Sequence, residues 1–190
     1  MKKRPLQIHI PKTAGASVRQ ALGVKDPEHL RGDQLRAHVG EDQWAAGFKF
    51  TFVRNPYDRL LIFYFWGCST KRRVRRSTKR WSASRFVAKW PTFNEFATDM
   101  MRQALDGRTP AAALTQLYWI GGVDLDMVGR FEDMDRDWPL VCEHLGVPNI
   151  VLPEVHVTQH EPYPAYYDAE ARELVRRVFQ GDLDAFGYSF

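Results

Sequence analysis

A chain of 190 residues, 44% hydrophobic and 26% charged, has the composition of an ordinary globular protein and the length of one domain, expected to span 1–190, and its formal charge of +4 favours anionic partners without naming one. Its 6 Trp, 7 Tyr and 12 Phe can build an interior without metal or disulfide staples. Cys68 and Cys142 stand far apart with no Cys/His ligand spacing, which excludes a zinc framework and leaves two reduced thiols.

The chain opens Met1-Lys2-Lys3-Arg4-Pro5, and the apolar stretch that follows, residues 6–10, is too short for a signal peptide or a membrane span, so a cytoplasmic location is expected. Leu6-Gln7-Ile8-His9-Ile10 reads instead as a short buried strand. Residues 11–15 interrupt it before a helical run from about 16 to 22, which Gly23 closes. Phe48-Lys49-Phe50-Thr51-Phe52-Val53 is a second strand, rich in aromatic and β-branched residues. Asn55-Pro56-Tyr57-Asp58 then opens a helix, with Asn55 at the N-cap, Pro56 at N1 and Asp58 favouring the positive helix end.

Between residues 67 and 85 the pattern breaks into a basic insertion, where Lys71, Arg72, Arg73, Arg75, Arg76, Lys79 and Arg80 crowd together. Met127-Val128-Gly129-Arg130-Phe131 reads as a third strand, followed by a helix near 138–145 that ends at Gly146. A last helix starts near Asp168 and carries Leu174, Val175, Val178 and Phe179 on one stripe, the signature of core packing. Strands alternating with helices point to a parallel α/β sheet.

Pro11-Lys12-Thr13-Ala14-Gly15-Ala16-Ser17 joins a strand to a helix, where backbone N–H groups and the helix dipole can hold a phosphate-like group. Lys12 adds a point charge, and Thr13 and Ser17 add hydroxyls, although a surface turn with a solvated lysine has the same local composition. Arg54 stands just past the second strand at the next helix N-terminus, which is the same kind of position, with a surface ion pair to Asp58 as the alternative. In an open parallel sheet both junctions fall at the carboxyl edge, where ligands bind. Two cationic junctions there suit a ligand with anions at both ends.

His9-Ile10-Pro11-Lys12-Thr13-Ala14-Gly15-Ala16-Ser17 resembles the 5′-phosphosulfate loop of the carbohydrate-type sulfotransferases that use 3′-phosphoadenosine 5′-phosphosulfate (PAPS). Phe52-Val53-Arg54-Asn55-Pro56-Tyr57-Asp58-Arg59-Leu60-Leu61 resembles their 3′-phosphate segment. Gly129-Arg130-Phe131-Glu132 and the terminal Asp182-Leu183-Asp184-Ala185-Phe186-Gly187-Tyr188-Ser189-Phe190 are also similar, so the resemblance runs nearly end to end. It implies an α/β, P-loop-like three-layer fold with a central parallel sheet flanked by helices. It further implies that Lys12 and the backbone of Thr13, Ala14, Gly15, Ala16 and Ser17 hold the 5′-phosphosulfate, that Arg54 holds the 3′-phosphate, and that 3′,5′-bisphosphoadenosine is the product. Where that family usually places a serine, eight positions after this arginine, the chain has Ile62.

Such a reaction needs a base for the acceptor hydroxyl, and His38 stands where similar sulfotransferases often carry a histidine, just before the second strand. Glu132, His156 and His160 are the reserves, while His9 reads as a packed or hydrogen-bonded neighbour of the loop. Asp124 and Asp126 have metal-like spacing without the rest of a calcium loop and read as solvated carboxylates, so no metal is expected. The expected partners are PAPS and a hydroxyl-bearing acceptor such as a carbohydrate or small molecule, anionic ones included, with no nucleic acid and no membrane span. A nucleotide kinase is the nearest alternative, but the G-x-x-x-x-G-K-[ST] spacing is absent. A polyanion-binding module built on the run from Lys71 to Arg80 is the non-catalytic alternative, without a recognised nucleic-acid fold signature.

Overall fold

The computed structural model describes residues 3–25, 27, 29–69, 89–108, 115–153 and 160–190. The basic run 71–80 and His156 lie outside the described residues. The chain divides into two compact units, Met1–Arg54 with Ala112–Val155 and Asn55–Ala111 with His156–Phe190.

The sheet belongs to the first unit. β1 (Pro5–Gln7), β2 (Phe48–Val53) and β3 (Met127–Arg130) run parallel in the order β1-β2-β3. Leu6 lies opposite Lys49, and Phe52 lies opposite Gly129. The pairing outlasts β1 by one residue, since the Ile8 N–H donates to the Phe50 carbonyl at 3.0 Å; it outlasts β3 likewise, since the Phe131 N–H donates to Val53 at 2.7 Å. Alternation along β2 puts Phe48, Phe50 and Phe52 on one face. There they pack with Val18 of helix α1 (Gly15–Leu22) and with Trp138, Val141, Cys142 and Leu145 of a later helix, Met134–Leu145. A Cβ at Gly129 would come within 2.5 Å of the Phe52 ring, so only glycine lets this face close at β3.

Between β1 and β2 the first unit also holds α2 (Gly32–Val39) and α3 (Glu41–Ala46), which the sequence pattern does not announce: α2 buries only Gly32, Leu35 and Val39. In the second unit α4 (Pro56–Ser69) begins as expected, with Asn55 Oδ1 accepting from the Tyr57 N–H at 3.0 Å and the Asn55 carbonyl accepting from Arg59 at 2.8 Å. α5 (Phe93–Leu105) follows, opened by a capping box between Thr92 and Glu95. α6 (Gln116–Ile120) and α7 (Met134–Leu145) return to the first unit. α7 starts four residues ahead of the expected boundary: Pro139, which suggests a helix opening, lies inside it.

After a 3₁₀ turn at Tyr163–Tyr166 come α8 (Ala169–Val178), capped by Asp168, and α9 (Gln180–Phe186). Leu174, Val175 and Phe179 are buried as the stripe predicts, and Phe179 ends α8 and caps α9, dividing what reads as one helix. The expected α/β class, with a parallel sheet flanked by helices, holds. Among the described residues no helix is long and apolar enough to cross a membrane.

Candidate functional site

The loop between β1 and α1 is held in a conformation that side chains disfavour. Lys12 (φ 71) and Ala14 (φ 62) both take left-handed backbone, at a cost of about 1–3 kcal/mol each, and such strain persists only where the surroundings enforce it. One enforcing contact is the buried Thr13, whose hydroxyl donates to the Ile10 carbonyl at 2.9 Å. That proton is used within the loop, so Thr13 can offer a ligand its backbone N–H but not the hydroxyl donor its residue type suggests.

Ala14 is the N-cap of α1 and offers no side-chain oxygen, and the first turn carries no acidic residue. A helix opened this way keeps its positive end for an anion from elsewhere. Ser17 is buried on the same first turn. The desolvation that comes with burial lowers the Lys12 pKa to about 8, so a nearby anion would restore much of what its ammonium has lost.

His9 lies under this loop. Its ring takes the room that a side chain at Gly15 would need, with Cδ2 only 1.9 Å from where a Cβ would sit. Burial, then the charges of His29, Arg19 and Lys12, lower its pKa to about 3, so it is a neutral imidazole. The His29 ring lies against it, tilted by 34° with the centroids 4.3 Å apart, and His29 Nδ1 lies 3.3 Å from the His9 carbonyl. Nδ1 of His9 is buried without a hydrogen-bond partner among the described residues.

Arg54 follows the last residue of β2. Its guanidinium lies 3.8 Å from the centre of the Phe131 ring, and its Nη1 donates to the Lys12 carbonyl at 3.5 Å. The Arg54 guanidinium, at the end of one strand, therefore meets the backbone of the Lys12 loop at the end of another. Arg54 is 8% exposed, so it is a buried residue rather than a surface one. Its backbone N–H donates to Gln116 Oε1 and its carbonyl accepts from Gln116 Nε2, each at 2.9 Å. Sequence reasoning misses Gln116 entirely, and it misses the part Phe131 plays under Arg54.

Other candidates fare differently. His38 is in the last turn of α2 and exposed. His160 stacks on Phe65 at 5.8 Å, with Nδ1 2.7 Å from the Glu161 carbonyl. Asp126 is exposed, as expected, but also paired: it accepts from the Lys49 N–H at 2.7 Å and pairs with the Lys49 ammonium at 2.9 Å, because β2 begins beside it. Arg130 donates its backbone N–H to the buried Asp137 at 2.7 Å. Among the described residues no cluster of His, Cys, Asp and Glu could hold a metal ion.

A loop strained around a lysine at the end of one strand, with an arginine from the next strand end beside it, is the arrangement expected of an enzyme that transfers an anionic group. The chain belongs to the sulfotransferase family, which it matches over residues 6–189. No curated protein and no solved structure matches it. Family membership supports sulfotransferase activity in general, and with it a transferase that uses a sulfate donor and a hydroxyl acceptor.

Proposed function

We propose that the chain transfers a sulfuryl group from PAPS to the hydroxyl of a carbohydrate or small-molecule acceptor, and that it does so in the cytoplasm. The observation that carries this reading is the meeting of Arg54 with the Lys12 loop, Nη1 to carbonyl at 3.5 Å. It favours a ligand with anions at both ends, and a 3′-phosphorylated nucleoside phosphosulfate is one. Lys12 and the backbone N–H groups of Thr13, Ala14, Gly15, Ala16 and Ser17 hold the 5′-phosphosulfate, at the open end of α1. Arg54 holds the 3′-phosphate.

The acceptor oxygen forms a bond to sulfur as the bond from sulfur to the bridging phosphate oxygen breaks, and negative charge grows on that oxygen. Lys12 meets this charge from a site where its ammonium is poorly hydrated, which strengthens the interaction. The hydroxyl proton passes to a base, for which His38 is the candidate. A helix-borne, exposed imidazole is free to approach an acceptor from solvent.

Calorimetric titration with 3′,5′-bisphosphoadenosine tests the donor half without knowledge of the acceptor. Binding is expected, tighter than that of adenosine 5′-phosphate, with this preference lost in Arg54→Ala. Equal affinity for both nucleotides, or none for either, would contradict the reading. His38→Ala should lower turnover by about 10²–10⁴-fold with nucleotide affinity intact, and normal turnover would pass the role of base to Glu132, His156 or His160.

A further inference from the structure

Gln116 is completely buried, at 0% exposed, yet it is a polar side chain bonded to a backbone 62 positions away. Where β2 ends, Arg54 carries one N–H and one C=O beyond the ordered ladder, and groups of that kind must be satisfied when buried. The Gln116 amide satisfies both, Oε1 accepting and Nε2 donating at 2.9 Å each. Only this orientation of the amide matches a donor with an acceptor at each bond, so the pairing itself fixes it. Gln116 opens α6, whose start is pinned by Thr115 Oγ1 accepting from the Tyr118 N–H at 3.1 Å. A side-chain amide thus extends the strand by one residue at the point where the guanidinium departs.

We infer that Gln116 is a positioning residue for recognition of the donor's 3′-phosphate: by clamping the Arg54 backbone it keeps the guanidinium on the Phe131 face and against the Lys12 carbonyl. The inference rests on the donor reading above. Phe131 is fixed to the same strand end, through its N–H to the Val53 carbonyl at 2.7 Å, so ring and clamp hold Arg54 from separate elements. Without the amide, a long side chain at a strand terminus regains rotamers, and ordering it again falls to the ligand. The residue type follows from the geometry. Asparagine is one methylene short, methionine fills the space with no hydrogen bonds, and glutamate accepts from the N–H but donates to the carbonyl only when protonated.

The test is the preference for a 3′-phosphate, taken as the ratio of affinities for 3′,5′-bisphosphoadenosine and adenosine 5′-phosphate by calorimetry. Gln116→Met should reduce this ratio by about tenfold and leave affinity for the 5′-monophosphate nearly unchanged. In an Arg54→Ala background it should reduce the ratio no further. Gln116→Glu should show a ratio that recovers toward wild type as pH falls, when both variant and wild type are measured at each pH. An unchanged ratio in Gln116→Met, or a parallel loss of both affinities, would overturn the inference and leave Gln116 a purely structural residue. Should Gln116→Met fail to fold, a Gln116→Glu ratio that tracks wild type at every pH would overturn it equally. A wild-type ratio near one is a separate outcome: it removes the donor reading first, and the inference with it.

Discussion

Arg54 and Arg59 lie five positions apart in the same ten-residue run, and each is 8% exposed, but they belong to different units and are held differently. Arg54 is oriented by an aromatic face, a carbonyl and a side-chain amide, all of which fix geometry. Arg59 lies farther from its ring, 5.6 Å from the centre of Phe179, and sits by a charge: burial lowers its pKa to about 10, and Asp182, itself 1% exposed, works against that shift. Around Arg59 the second unit is knitted by rings and hydrogen bonds, with Tyr167 donating to the Tyr57 carbonyl at 2.8 Å and Asn55 Nδ2 donating to the Ser189 carbonyl at 2.8 Å. Phe190 meets Tyr57 edge-on at 4.9 Å. One short motif therefore contributes an arginine beside the proposed anion site and an arginine packed within the second unit. The neighbours, not the residue type, tell them apart.

If that division is right, the two regions should fail in opposite ways. The largest effect belongs to Asp182→Ala, which leaves a buried guanidinium without its carboxylate and should cost about 3–5 kcal/mol in denaturant unfolding. The fraction that folds should keep its affinity for 3′,5′-bisphosphoadenosine. A small stability loss with weakened binding would merge the two regions and break the comparison. Lys12→Ala comes next: turnover should fall by about 10²–10³-fold, with weaker nucleotide binding and no matching loss of stability.

The smallest effect sharpens the picture of the first region alone. Burial puts the Lys12 pKa near 8, so affinity for the bisphosphonucleotide should be level below that value and decline above it, by at most about tenfold over the first pH unit. Lys12→Arg should not show the decline, because a guanidinium stays charged throughout. Level wild-type affinity from pH 7 to pH 10 would mean that the Lys12 ammonium does not take part in binding.

The elements that sequence made legible are those with a local physical cause. A run of three phenylalanines alternating with Lys49, Thr51 and Val53 announced β2, glycines with positive φ closed α1 and α7, and Asn55 and Asp168 announced the starts of α4 and α8. α5 was missed although Thr92 and Glu95 spell its capping box in sequence. α2 is harder, because its buried positions, though spaced as a helix face, supply only two apolar side chains, Leu35 and Val39. Within the site, Lys12 and Arg54 were visible because each stands at a strand-to-helix junction. Gln116 was not, because its role exists only once residues 62 positions apart have met, and no local pattern distinguishes a buried clamp from a surface glutamine.

The imidazole lodged where a Gly15 side chain would be makes positions 9 and 15 one steric unit. Neither can drift alone: alanine at 15 has no room while histidine remains at 9, and a smaller residue at 9 opens a hollow beneath the loop. Variation across descendants of this chain should therefore appear at both positions together or at neither, with the combined volume of the pair nearly constant. A library that randomises the two codons jointly would recover functional pairs that stepwise mutation, blocked at each single change, does not reach.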